Sequence, residues 1–274
     1  MKIENLVEDI YTVLEEDHKI SDDNLNLFLE GISSALVNHL SSTRKNNRPT
    51  LRMSSIGKKD RKLWLELKQP KDSALPSGST LLKFLYGSIL EELLLFLVRE
   101  SGHTVTDAQK KVTVNGVDGH MDCKIDGEVV DVKSASDFSF KKFMNGSILS
   151  SDSFGYVAQL SGYIEAEGDE QGHFLVINKV TGELTLFTVD DMDTINVSKR
   201  IDHLRNILSV DTVPELCYNP IPEGKSGNMK LANDCVYCPY KFDCFPDTRV
   251  FKYSNKNVYL SKVIKEPVVE EVLV

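Results

Sequence analysis

The sequence has no apolar run that could span a bilayer: Leu93 to Val98 is short and sits in an amphipathic pattern. Its start, MKIENLVEDIY, is acidic and lacks the basic and apolar regions of a signal peptide. Together these predict a cytoplasmic chain with no membrane partner. Cysteine is scarce, five in 274 residues, and none precedes Cys123. In a reducing compartment a late cluster of thiols points to a metal rather than to disulfides. There is one tryptophan, Trp64, which is expected in a core. No internal repeat and no low-complexity tract occurs, which leaves ordinary globular packing. Positive charge is also short overall, and a net charge of −9 argues against a general polyanion binder.

The positive charge that is present is concentrated. Arg44, Lys45, Arg48, Arg52, Lys58, Lys59, Arg61, Lys62, Lys68 and Lys71 face only Asp60 and Glu66 within residues 44–71. This strip carries +8 and the rest of the chain −17. Such a strip can grip a nucleic-acid backbone locally, or it can be a solvated helix face.

Hydrophobic periodicity predicts two helices over residues 1–43, with Ser21 capping the second, and no chemistry there beyond packing or a partner contact. A short helix capped by Ser54 or Ser55 follows, then a long helix from about Thr80 to Glu100 interrupted by Glu91 and Glu92. Strands are expected near 103–105 and 111–114, then a hairpin, a helix over 154–167, strands at 173–179 and 183–189, and a helix from Asp190 or Asp191 to about Ser209. This order implies an α/β or α+β fold with a mixed sheet. Residues 211–247 are rich in proline, glycine and cysteine, a loop-rich composition that forms little core and suits an inorganic staple. Short strands RVFKYS and NVYLSKV come next, and the tail EPVVEEVLV is ambiguous. The resulting divisions are 1–43, 44–210, 211–247 and 248–274.

The stretch from Gly119 to Ser136 carries the chemistry. Asp126-Gly127 between alternating apolar residues is a strong hairpin signal. That turn sets Ile125 opposite Glu128, Lys124 opposite Val129, Cys123 opposite Val130 and Asp122 opposite Asp131, with Lys133 on the same side. Directly opposed carboxylates destabilise a hairpin, and a divalent cation between them is the usual remedy. Asp122, Asp131 and the Val132 carbonyl offer the hard oxygen ligands of Mg2+ or Mn2+, and Lys133 a compact positive charge for a phosphate. The other face, Met121, Cys123, Val130 and Val132, reads as core. A D…DxK pattern alone is weak, because Asp and Lys alternate on many solvent-facing strands.

The run GHMD…EVVDVKSAS followed by Gln159-Leu-Ser-Gly-Tyr163 resembles the PD-(D/E)xK nuclease superfamily, above all its RecB-type branch, marked by GxxD, DxK and QxxxY in that order. The resemblance covers roughly residues 54–246. It implies a restriction-endonuclease-like core with a mixed sheet flanked by helices. Asp122 and Asp131 would be metal ligands and Lys133 the catalytic lysine. Glu91, in Gly87-Ser-Ile-Leu-Glu91, would be a further metal contact, and Gln159 and Tyr163 would meet the DNA or position the metal site. The proline that often precedes the first acid is absent. His120, opposite Lys133 in the expected register, is a candidate phosphate contact, as are Lys58, Lys59, Arg61 and Lys62.

Cys235-x2-Cys238-x5-Cys244 resembles the iron–sulfur nucleases of this branch, as does the Gly-Lys-Ser-Gly-Asn run at 224–228. Those relatives take one cysteine from before the core; here Lys59 stands about there, and Cys217 can supply the fourth thiolate. The resemblance implies a 4Fe-4S cluster, and the spacing also suits structural zinc. The expected activity is a metal-dependent DNA exonuclease acting on single-stranded ends in phage-type replication, recombination or DNA breakdown. The alternatives are a non-catalytic nucleic-acid-binding scaffold and a zinc-stapled module for a replication partner.

Overall fold

The computed structural model describes residues 1–41, 49–71, 77–254 and 256–273; Arg44, Lys45 and Arg48 of the basic strip lie outside them. Its helices are α1 (Leu6–Glu15), α2 (Asp22–Ser41), α3 (Asp60–Lys68), α4 (Gly78–Glu100), α5 (Asp137–Met144), α6 (Tyr156–Glu167), α7 (Val197–Ser209), α8 (Asn233–Val236) and α9 (Lys241–Cys244). The strands are β1 (Val105–Thr106), β2 (Lys110–Val114), β3 (Val117–Met121), β4 (Cys123–Ile125), β5 (Glu128–Ala135), β6 (Gly172–Asn178) and β7 (Leu184–Val189), then β8 (Ile221–Pro222), β9 (Met229–Lys230), β10 (Arg249–Tyr253), β11 (Lys256–Lys262) and β12 (Glu271–Val272). They form two compact units, Met1–Gly57 with Ala74–Arg205 and Lys58–Ser73 with Asn206–Val274. Among the described residues no helix is long and apolar enough to cross a membrane.

The first unit is built on a mixed sheet of order β1-β4-β5-β6-β7. Only β5 and β6 are parallel, and the chain between them makes the crossover such a pair requires through α5 and α6. Alternation along the strands gives the sheet two apolar faces. On one, Cys123, Ile125, Val130, Val132 and Leu175 pack with Leu94, Leu95 and Val98 of α4 and with Ile3, Leu6 and Ile10. On the other, Phe174 meets Phe143 of α5 edge-on at 5.3 Å. Each such buried side chain contributes about 1.5–3 kcal/mol. The helix α2 buries no residue of its own. Its start is tied to the end of α4 by the buried Glu100 carboxylate, which accepts from Asn24 Nδ2 at 2.7 Å and Ser21 N at 3.2 Å.

Two helix starts differ from the periodicity. The helix α6 begins at Tyr156, not Phe154, because Gly155 stands at φ +82°. The helix α7 begins at Val197, not Asp190: Asp193 N and Thr194 N turn back to Asp190 O at 3.0 and 3.1 Å, and the Asn196 side chain accepts from Lys199 N at 2.8 Å as a cap.

The second unit has an antiparallel sheet of order β12-β10-β11-β9-β8. The expected strands are β10 and β11, and the ambiguous tail adds β12. The 224–228 run closes the β8–β9 hairpin. Its Asn228 is buried, accepts from Ile264 N at 2.7 Å and Lys265 N at 2.9 Å, and donates to Lys265 O at 2.9 Å. The helix α3 starts at Asp60 after a separate 3-10 turn at Met53–Ser55, so Ser54 and Ser55 do not cap it. Trp64 is core as expected, packed with Leu65 and Tyr240, and its indole donates to Val210 O at 3.2 Å.

Candidate active site

The Asp126-Gly127 turn forms with both residues at positive φ, 51° and 93°, the conformation this dipeptide favours. The pairs are Ile125 with Glu128, Lys124 with Val129 and Cys123 with Val130. The ladder then stops. Asp122 Oδ2 accepts the Val132 N–H at 2.8 Å, the donor that a continued ladder would give to Met121. The chain leaves at Asp122, and β3 pairs with β2 in a separate two-stranded sheet. His120 therefore pairs with Lys111 and does not stand opposite Lys133. Across a strand a residue's N–H and C=O point the same way, so the Val132 carbonyl also faces the Asp122 edge.

Asp131 is wholly buried on the α5/α6 side, in register with Phe174. Its Oδ2 forms an ion pair with the Lys133 ammonium, while its Oδ1 is buried with no hydrogen-bond partner. Burial raises the Asp131 carboxyl, and Lys133 pulls it back. Burial works against the Lys133 charge, but Asp131 and Asp122 outweigh it and hold that lysine above the ordinary range. Asp122 is raised well above the usual range, first by burial and then by the Asp131 charge.

Glu91 of α4 joins this group. It is pushed up to about 7, mainly by burial and by Glu92, and it feels both Lys133 and Asp131. Gln109 holds it by an Nε2 bond of 2.8 Å to Oε1, while the Gln109 N–H donates to Asp122 O at 2.9 Å. Gln109 is invisible to periodicity, since it sits in the turn before β2 at φ 54°. On α6, Gln159 Nε2 donates to Tyr163 Oη at 2.8 Å. Tyr163 is buried, and its hydroxyl is raised by burial within reach of the charges on Asp131, Asp122 and Lys133. Gly119 is required by contact: a Cβ there would lie 2.6 Å from Met53 Cβ and 2.9 Å from the Tyr163 ring. Sequence reasoning also missed Tyr156, whose ring lies 5.2 Å from Lys133 Nζ. Its spacing from Gln159 and Tyr163, three and seven residues, was the available signal.

Glu91, Asp122, Asp131, Lys133, Gln159 and Tyr163 thus lie together. Three acids share one lysine, and a buried carboxylate oxygen lacks a donor. This donor set fits a hard divalent cation. As placed, no three His, Cys, Asp or Glu side chains among the described residues close a coordination shell; Lys133 and Gln109 occupy part of the carboxylates' capacity.

In the second unit, Cys217, Cys235, Cys238 and Cys244 are free thiols, each partly buried. Cys235 is pushed up to about 11, by burial first and then by the other three sulfurs, so the four lie within mutual electrostatic reach. Donors already point at them: Arg61 Nε to Cys244 Sγ at 3.2 Å and the Lys62 backbone to Cys217. Hydrogen bonds to sulfur suit thiolates that carry a cluster or a metal. The strip around α3 is largely engaged within this unit. Arg61 also donates to Pro214 O at 2.9 Å, Lys58 pairs with Glu66 at 2.6 Å, Lys68 with Asp211 at 2.9 Å and Lys71 with Asp243. Lys59 lies 5.9 Å over the Tyr218 ring.

No family model and no curated protein sequence matches the chain. Solved structures with a similar chain path include SSO0001, at 14% identity, covering 79% of this chain and 95% of that one, with a TM-score of 0.44. An alkaline exonuclease from Laribacter hongkongensis is 12% identical over 68% of this chain and 91% of its own, TM-score 0.37. A phage-related exonuclease from Haemophilus somnus 129PT is 11% identical over 76% and 90%, TM-score 0.30.

Proposed function

We propose that this chain is a divalent-metal-dependent DNA exonuclease that hydrolyses phosphodiester bonds and prefers single-stranded ends. The observation that carries this is Asp131, a fully buried carboxylate with an unpartnered Oδ1, ion-paired with Lys133 and within electrostatic reach of Asp122 and Glu91. Asp122 and Asp131, with the Val132 carbonyl and Glu91, would hold Mg2+ or Mn2+. Bound there, such a cation lowers the pKa of a water and offsets charge on the phosphate. Lys133, ion-paired with Asp131, would neutralise charge developing on a scissile phosphate. Gln159 and Tyr163, linked to each other, orient the strand against the site. His120, Lys58, Lys59, Arg61 and Lys62 are proposed phosphate contacts, the last four alongside their roles in their own unit.

The four cysteines are proposed as ligands of a 4Fe-4S cluster, with zinc as the other candidate. The biological setting proposed is phage-type replication, recombination or DNA breakdown. The test is degradation of 5′- and 3′-labelled single strands with Mn2+ by the intact chain, Asp131→Asn and Lys133→Ala. The intact chain should shorten the strands progressively and neither folded variant should. Full activity in either variant, or none in the intact chain, sinks the proposal.

A further inference from the structure

Phe154 is 63% exposed, so much of its ring is open to a ligand. Its neighbours in the chain, Ser150, Ser151, Asp152 and Ser153, are polar. The ring is stacked on Tyr156, with centroids 5.2 Å apart and planes 17° from parallel. The Tyr156 ring in turn lies 5.2 Å from Lys133 Nζ. One aromatic ring therefore separates an open π-face from the ammonium that pairs with Asp131.

The platform is held rigidly. The Asp152 carboxylate accepts three backbone donors, Phe154 N at 3.0 Å, Gly155 N at 2.8 Å and Val157 N at 2.9 Å. Gly155 adopts φ +82° against the backbone of Gly57, so close that a Cβ there would lie 2.7 Å from the Gly57 Cα. A ring fixed in this way loses little entropy when a second flat ring settles on it.

We infer that Phe154, stacked on Tyr156 beside Lys133, is the platform for an unpaired nucleobase at a DNA strand end. A base still paired in a duplex must first be unstacked to reach it, so the platform makes single-stranded or frayed ends the favoured substrate. The inference rests on the nuclease proposal above and adds the group that reads strandedness.

The test uses the full chain with Ca2+ in place of Mg2+ or Mn2+, and two probes: a single strand with a terminal 2-aminopurine, and a blunt duplex. The single strand should bind with quenching of the 2-aminopurine. Phe154→Ala should remove the quenching and weaken single-strand binding roughly 5- to 100-fold, with duplex binding changed much less. Phe154→Trp should restore both, and Phe154→Leu, which keeps apolar bulk without a π-face, should not. Circular dichroism confirms that each variant is folded. Unchanged strand affinity and quenching in Phe154→Ala, or rescue by leucine equal to that by tryptophan, would overturn the inference. So would a change in sedimentation mass with DNA binding intact, which would reassign the ring to a protein contact. Cleavage by the intact chain in Mn2+ separates the two proposals: if it cleaves strands while Phe154→Ala binds normally, only the platform fails; if it neither binds nor cleaves DNA, both fail.

Discussion

Glu91→Gln in the metal-free protein isolates the electrostatic load of the site. The Glu91 carboxyl moves from an ordinary 4.5 to about 7 in the folded chain, chiefly through burial. Below 4.5 it is protonated in both states and nothing is lost. Between 4.5 and about 7 the unfolded chain gives up the proton first, so stability falls as pH rises and the full cost applies above about 7. That cost is about 3 kcal/mol, or about 2 after allowance for water at a side chain that is not fully buried. Urea unfolding in EDTA at pH 5 and pH 8, followed by amide exchange in β5, measures it. Tryptophan fluorescence does not, because Trp64 belongs to the other unit. The wild type should lose about 2 kcal/mol more than the variant over this interval. Mn2+ at about 100 times its dissociation constant should return about 2.7 kcal/mol to the wild type at pH 8, and much less to Glu91→Gln. The same pH dependence in both proteins would refute the proposed coupling of Glu91 to the buried charges.

Three further outcomes are expected. Gly119→Ala must displace Met53 or the Tyr163 ring; overpacking of this kind lowers stability by about 1–3 kcal/mol, and kcat for strand cleavage should fall with KM little changed. Asn228→Ala leaves Ile264 N, Lys265 N and Lys265 O without their side-chain partner, so amide exchange in β9 and β11 should quicken by an amount equal to about 2–4 kcal/mol, while β5 is unaffected. Cys235→Ser should abolish visible absorbance at about 400 nm in an anaerobic preparation and lower bound iron; a colourless wild type with stoichiometric zinc would replace the cluster with zinc.

The hairpin register was legible as far as Cys123 opposite Val130, because Asp126-Gly127 dictates the turn. Cys123, Val130 and Val132 of the expected buried face share one core, while the expected pairing of Asp122 with Asp131 does not form. Gln159 and Tyr163 were legible because helical spacing puts them on one side of α6. The break at Asp122 was not. It depends on a carboxylate capturing the Val132 N–H from ten residues away, which no local pattern encodes, and the break moves His120 into another sheet. Gln109 escaped for a similar reason: it acts from a turn, through one backbone and one side-chain bond to elements on either side of it. The charge of the α3 strip was plain, but its engagement with Pro214, Asp211 and Asp243 required knowing what the last third of the chain does.

The division of the chain into units has a consequence for how it is made. The second unit joins residues 58–73 to the segment after 206, and Asn228 finds its partners only at Ile264 and Lys265. On a ribosome adding about 5–20 residues per second, roughly 3–12 s separate the emergence of Arg205 from that of Lys265. In the first part of this interval, before Tyr240 emerges, the first unit can already close its sheet while Trp64 and Leu65 of α3 wait uncovered. The nascent chain therefore presents a short, aromatic-bearing helix to its surroundings before the residue that covers it arrives.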